Sequence, residues 1–523
     1  MCDFTMDDVS TKNRLIYNAI SNVLMFLILG IIFFFLTPVI LHRLGDERFG
    51  IWTFAVAIMG YSSIASLGLP SALVRYFSHY YSLHKEREVN EVTNSAMSLL
   101  IPLCFLVFLL NVLSSTQFAK SVMPSSYQHQ EVIFAFILVG SEFALLLILQ
   151  GVRQIIFALE KIVIYNAISI GMAIMRAMLI YHLVQSQNIL MLCLISLLSV
   201  GTELFLSVFV LRRLYPKLKF GFKYVAINKS RLLLNYGIQV AIMNWAYVLT
   251  FSTNLIVIGL FISTTAVGIY SIATRLLEFE RGIIGHLTQV FIPRSSALDS
   301  LSQTSALRNM CLLGTKYCFA IALLFSIYSV YLGETFIDIW IKGNYSELSW
   351  QVLVILSIGQ LVVLTFSAAG AILVGIGRQR LMCILAIFEG IAHLILSIVL
   401  ARVWGILGVA IGTTVPYLVA TAPVMVYLLH QNLNICMTEL LRFSLLPVIV
   451  CGASLSLILH LFSIWFQPSS MTTIAIVTVI GGAIYTALFW IFAMTLDERN
   501  YILQHSLLSK SASRIALETD SHY

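Results

Sequence analysis

Long apolar runs alternate with short polar connections along almost the whole chain. The runs lie near 17–42, 50–69, 93–114, 131–156, 162–184, 189–211, 233–261, 265–292, 310–333, 350–375, 381–401, 405–429, 443–466 and 472–495. Crossing the hydrocarbon of a bilayer takes about 20 apolar residues of helix. The alternation every second residue that marks a membrane barrel is absent, so the spans read as helices. The pattern predicts an all-α integral membrane protein of about 14 transmembrane helices.

Composition agrees, since 59% of the 523 residues are hydrophobic and 11% are charged. A soluble domain carries roughly 25% charged residues. The opening stretch "MCDFTMDDVSTKNRLI" is polar, and the first apolar run is too long for the core of a cleavable signal. The eight cysteines form no CxxC pair and fall mostly inside spans, where they read as small apolar residues.

The connections are short and leave no room for a soluble catalytic domain. Their lysines and arginines set the orientation. The densest cluster, "RRLYPKLKFGFKYVAINKSR" (Arg212 to Arg231), is cytoplasmic only if the N-terminus is inside. An even number of spans then puts both termini in the cytoplasm. The net charge of +7 is thus mainly a topology signal, and a linker this short between spans is no nucleic-acid site.

The same linker divides an internal repeat. Lys12, Arg14 and Asn18 match Lys229, Arg231 and Asn235; Lys161 matches Arg378; Asn188-Ile189-Leu190 matches Gly405-Ile406-Leu407. "FGIW" at Phe49 pairs with "VGIY" at Val267 after one inserted residue. The expected organisation is an N-terminal lobe over 1–222, a C-terminal lobe over 223–440, an extra helix pair over 441–496 and a cytoplasmic tail over 497–523. Parallel six-helix repeats are typical of secondary transporters, with substrate bound between the halves.

"LGDERFGIWTFAVAIMGYSSIASLGLPSALVRYFS" (Leu44 to Ser78) resembles the second-helix signature of the polysaccharide flippases. "VGIYSIATRLLEFERGIIGHLTQVFIPRSSAL" (Val267 to Leu298) is similar to the family's eighth helix, with Tyr270 and Pro293 in place. The plan of six, six and two helices is also similar. The group comprises O-antigen and exopolysaccharide flippases, related to multidrug exporters and the lipid II flippase. The resemblance implies two lobes around a central cavity that opens alternately to either face of a bacterial cytoplasmic membrane. It implies as cargo an oligosaccharide on an undecaprenyl pyrophosphate carrier, with membrane lipids and other polysaccharide assembly proteins as partners, and no cofactor.

Ionisable groups inside spans are costly and usually face a cavity or a partner. At 100° per residue, Arg275, Glu278, Gly282, His286, Gln289 and Pro293 share an arc of about 80°. Glu280 and Arg281 point elsewhere, toward a structural pairing or an interlobe contact. A guanidinium on a wet cavity wall suits pyrophosphate oxygens, whereas an Arg275–Glu278 ion pair is the structural alternative. The repeat sets Arg176 opposite His393, with Glu389 one turn away as a hydrogen-bond or proton partner. Glu142 is a candidate partner of Arg176 or Arg153, Glu203 looks isolated, and Lys316 is expected to snorkel to the cytoplasm. Arg75, Arg14 and Arg231 are placed at the inner mouth, either for pyrophosphate or as positive-inside residues. Tyr61, Trp245, Tyr247 and Tyr270 are candidates for stacking on sugar rings or anchoring at the interface.

Two other functions compete. A cation-coupled small-molecule or multidrug exporter of the same fold would need acids for ion coupling, and the first two spans have none. A membrane glycan polymerase or acyltransferase is remoter. No HExxH, GxxxxGK[ST] or GxSxG occurs, so no catalytic or metal-binding residue is assigned.

Overall fold

The computed structural model describes residues 6–122, 129–185, 187–341, 346–378, 380–465 and 468–500. Among them every regular element is a helix, as lipid requires of a backbone that must satisfy its polar groups within each segment. Two compact units are formed, Met1–Ile272 with Ala386–Thr413, and Ala273–Leu385 with Thr414–Tyr523.

The first unit contains α1 (Met6–Leu44), α2 (Asp46–Gly60), α3 (Leu69–Ser82), α4 (Glu86–Val122), α5 (His129–Ala158), α6 (Ile162–Leu183), α7 (Ile189–Leu214) and α8 (Ile227–Phe261). It shares α9 (Thr264–Thr288) with the second unit. The second unit adds α10 (Phe291–Ser300), α11 (Thr304–Tyr331), α12 (Gly333–Ile341), α13 (Ser346–Thr365) and α14 (Ser367–Gly375). The long helix α15 (Arg380–Pro416) is also shared, and α16 (Ala422–Leu433), α17 (Met437–Leu440), α18 (Leu446–Trp465) and α19 (Met471–Leu488) complete the second unit.

Ten stretches among the described residues are long and apolar enough to cross a membrane. The difference from the sequence pattern falls at four places. The run near 50–69 is broken into α2, a 3-10 turn over Tyr61–Ser66 and α3. α9 is too rich in charge, carrying Arg275, Glu278, Glu280 and Arg281. α8 is 35 residues long, but the side chains of much of its middle lie outside the described residues. The stretch Arg380–Leu433 joins two predicted spans into one of 54 residues.

The turn between those two spans is Gly405, at φ 56°, ψ −134°. Beyond it "GVAIG" places Gly408 and Gly412 one turn apart on the returning helix. A Cβ on Gly408 would overlap the Leu400 carbonyl, and one on Gly412 would come within 2.7 Å of the Ser397 nitrogen. Small residues four apart let two backbones approach inside a membrane.

The internal repeat is visible in the turns. α5 ends with Glu160 at φ 58°, its N–H donating to the Phe157 carbonyl and that of Lys161 to the Ile156 carbonyl. α14 ends with Gly377 at φ 74° and the same two bonds, to Val374 and Leu373. His84 and Lys85, which close α3, are likewise matched by Ser302 and Gln303, which close α10. This double bond around a left-handed residue is a Schellman cap, which satisfies the last carbonyls of a helix.

The core of the first unit is built from α3, α4, α5 and α7, with Leu73, Phe77, Val92, Ile155 and Leu211 fully enclosed. In the second unit α18 and α19 pack on α11. Tyr485 donates to the Ala320 carbonyl at 3.0 Å and Tyr328 to the Thr478 carbonyl at 2.7 Å. Large apolar side chains such as Phe35, Phe105 and Phe205 stay exposed, as a surface in contact with lipid permits.

Candidate functional site

The charged groups that sequence reading placed inside spans are all described, apart from the side chain of Arg14. That side chain, with those of Trp245, Tyr247 and Pro293, lies outside the described residues.

Three polar assemblies occupy the first unit. In one, Arg176 on α6 reaches Glu142 on α5 at 3.2 Å and donates to the Ser196 hydroxyl on α7 at 2.5 Å. Of the two partners considered for Glu142, the structure selects Arg176. The glutamate is only 8% exposed but the arginine is 33% exposed, so the guanidinium is neutralised on one side and open on the other. In the second, Arg153 is paired with Glu203 and lies over the Tyr165 ring. The reading of Glu203 as isolated is therefore corrected. Arg153 and Glu203 sit on α5 and α7, which pack along their lengths, and sequence distance hides that proximity.

The third assembly is buried and centres on Asn254 of α8. Its amide donates to the Tyr270 hydroxyl at 2.8 Å and to the Thr413 hydroxyl at 3.0 Å. Its oxygen faces His393 Nε2 at 2.6 Å, and Thr413 lies 3.1 Å from the same ring nitrogen. His393 thus takes Asn254 rather than Glu389, although Glu389 is itself buried one turn away. Among the described residues His393 Nδ1 has no hydrogen-bond partner. Tyr270 is fully enclosed and bonded, which removes it from the candidates for sugar stacking. Tyr61 is half-buried and hydrogen-bonded to Thr253. Sequence reading missed Asn254 and Thr413; the signal was "STN", a polar break in the apolar run of α8.

In the second unit Arg275 and Glu278 form the i,i+3 ion pair at 3.1 Å, with side chains 36% and 48% exposed. His286 is exposed on the same helix. Glu280 and Arg281 turn to α13, where Gln360 joins them. Gln360 accepts from Arg281 at 2.7 Å and donates to Glu280 at 2.8 Å and to the Leu277 carbonyl at 2.9 Å. α9 therefore carries two polar faces, one anchored in its own unit and one more open.

Lys316 does not snorkel. It is 2% exposed, and its ammonium donates to both carboxylate oxygens of Glu498, at 2.6 and 2.7 Å, and to the Ala493 carbonyl at 3.0 Å. A chain segment beyond the last span, remote in sequence, supplies the counter-charge. Thr495 and Glu498 form a capping box there, the Thr495 N–H donating to the Glu498 carboxylate at 2.8 Å.

Arg75 and Arg231 are exposed. Arg75 stacks over the rings of Tyr236 at 4.4 Å and Tyr76 at 5.6 Å. In the basic linker, Lys217 is paired with Glu86, which holds its ammonium above the usual lysine range.

Residues 15–299 match the model of a family described as "Polysaccharide biosynthesis protein". The chain is 22% identical over 391 residues to the "Uncharacterized membrane protein EpsK" of Bacillus subtilis (strain 168), covering 73% of this chain and 76% of that one. It is 23% identical over 382 residues to the "Putative O-antigen transporter" of Shigella flexneri, covering 71% and 87%. In fold it is similar to the lipid II flippase MurJ in an inward closed conformation. There the TM-score is 0.69 at 13% identity, over 91% of this chain and 98% of the other. An inward-facing multidrug resistance transporter of the MATE family gives a TM-score of 0.68 at 13% identity, over 80% and 98%. Its helices, its repeat and these likenesses agree: the chain is a multi-pass membrane transporter and belongs to the polysaccharide biosynthesis protein family.

Proposed function

We propose that this protein flips an undecaprenyl-pyrophosphate-linked oligosaccharide from the cytoplasmic to the outer leaflet of a bacterial cytoplasmic membrane, by alternating access, with both termini in the cytoplasm. The reading rests on one observation made twice. Arg176 on α6 and Arg275 on α9 are each about one third exposed and ion-paired with a glutamate, at 3.2 and 3.1 Å. A partly exposed guanidinium beside a displaceable carboxylate is suited to a passing pyrophosphate, whose oxygens it meets through paired donors. Glu142 and Glu278 keep each arginine neutralised while no cargo is present. No bond in the cargo is broken.

The cation-coupled exporter needs an acid free to load an ion. Glu142 and Glu203 are both engaged by arginines, which favours the anionic cargo.

The test is flipping of a labelled lipid-linked oligosaccharide by the full-length protein in vesicles. Arg176→Ala and Arg275→Ala are each expected to slow flipping by at least about tenfold. Glu142→Gln is expected to leave the arginine over-tight and to slow release of cargo. Unimpaired flipping by both arginine variants, folded and inserted, would sink the assignment.

A further inference from the structure

A cavity of about 860 Å³ opens where the C-terminal half of α3 meets the turn between α5 and α6, wholly within the first unit. Arg75, His79 and Lys161 line it together with Tyr76, Ser78 and Ser82. We propose that this cavity binds the phosphate head group of an anionic membrane lipid that stays with the protein and is not its cargo.

The charge points to phosphate. Three basic side chains converge from two segments, and the one acid in the lining is Glu160, on the exposed turn. Arg75 is held by ring stacking rather than by a carboxylate, and among the described residues neither Arg75 nor Lys161 forms an ion pair. Their charge is therefore available to a ligand. Arginine supplies a planar fork of donors and lysine a point charge, a combination suited to phosphate oxygens. The backbone adds to this. α6 is 22 residues long and starts beside Lys161 without a side-chain cap, and its first intrahelical bond is that of Tyr165 to the Lys161 carbonyl. The N–H groups of the turn that follows Lys161 thus have no intrahelical partners.

Two observations separate a resident lipid from cargo. The floor of the cavity is Ala158 and Leu159, both part of the buried apolar cluster that contains Phe77, Ile155 and Leu211. A cavity backed by packed core on that side is suited to holding a head group in place. The surroundings are also those of a membrane–water boundary. Lys229 lies over the Tyr80 ring at 4.0 Å and donates to its hydroxyl at 2.9 Å, and Tyr76, Tyr215 and Tyr236 cluster nearby. Tyrosines of this kind mark the head-group level, where basic pockets between helices take up anionic lipids.

The test uses the full-length protein in phosphatidylcholine nanodiscs containing a small fraction of fluorescent phosphatidylglycerol. Energy transfer from the protein reads enrichment of the labelled lipid. The Arg75→Gln/Lys161→Gln double variant is expected to lower enrichment about tenfold, with Lys161→Arg close to the parent protein. Should the double variant fail to fold, judged by its unfolding midpoint, His79→Gln alone is expected to lower enrichment about threefold. Inorganic phosphate and pyrophosphate at millimolar concentration are expected to leave the lipid in place, for want of the bilayer anchor. Unchanged enrichment in folded variants overturns the site. Displacement by inorganic phosphate overturns the lipid assignment in favour of a free-phosphate site. The readout does not involve transport, so its outcome is independent of the flipping proposal.

Discussion

Lys316 shows how far a single residue can depart from its sequence context. Two turns inside an apolar helix, a lysine is expected to send its ammonium to the nearest water. Here Glu498 and the Ala493 carbonyl enclose it instead. Removing one partner of a buried pair leaves the other charge uncompensated, at a cost of about 3–5 kcal/mol. Lys316→Met and Glu498→Gln are both expected to lower the unfolding midpoint in detergent, and the combined variant to recover most of the loss. Additive losses in the pair would mean that the two groups are not coupled. Asn254 makes a second case, because its one amide satisfies Tyr270, Thr413 and His393. Asn254→Leu strands these partners, each at about 1–3 kcal/mol. The expected result is a variant that inserts but unfolds at markedly lower temperature; an unchanged midpoint would show that the network contributes nothing to stability.

At the scale of elements, two pairs of helix-ending turns recur at the spacing of the sequence repeat. The Schellman turn after α5 holds Glu160 at φ 58° where its counterpart after α14 is Gly377 at φ 74°. A left-handed conformation costs a residue with a Cβ roughly 1–2 kcal/mol. Glu160→Gly is accordingly expected to raise stability by about 1 kcal/mol and Gly377→Ala to lower it by a similar amount, read from denaturation midpoints. Equal effects of the same sign would contradict the shared geometry. The 3-10 turn after α2 is a third such feature. Two residues beyond it stands Gly68, φ 66°, whose missing Cβ leaves space for the Gly237 carbonyl of α8. Gly68→Val meets both the wrong φ and a backbone oxygen, and its expected outcome is loss of folded protein from the membrane.

For the whole molecule, topology is the claim most open to direct test. The proposed orientation puts the linker 212–231 in the cytoplasm. A cysteine introduced at Lys219 is expected to resist a membrane-impermeant maleimide in intact cells and to react after lysis. Labelling in intact cells would invert the orientation and with it the direction of the proposed flipping. Each of the two compact units has its own apolar core and a partly exposed arginine paired with a glutamate.

Much of this was legible in the sequence. Apolar run length dictates spanning helices, since lipid offers the backbone no other partner. Basic residues in the linkers point to an orientation, and matching residues such as Lys161 and Arg378 mark equivalent turns. The i,i+3 pairing of Arg275 with Glu278 follows from helical geometry alone. Apart from the Glu142–Arg176 pair, the polar contacts between helices escaped sequence reading. Arg153 with Glu203, Lys316 with Glu498, and Asn254 with His393 are each separated by at least 50 residues. Which acid a buried base meets depends on how the helices pack, and apolar faces of similar composition do not encode that choice locally. Run length and charge placement along the chain are enough to put ionisable groups within apolar helices; which of them pair with one another, and which stay partly exposed, follows from helix packing alone.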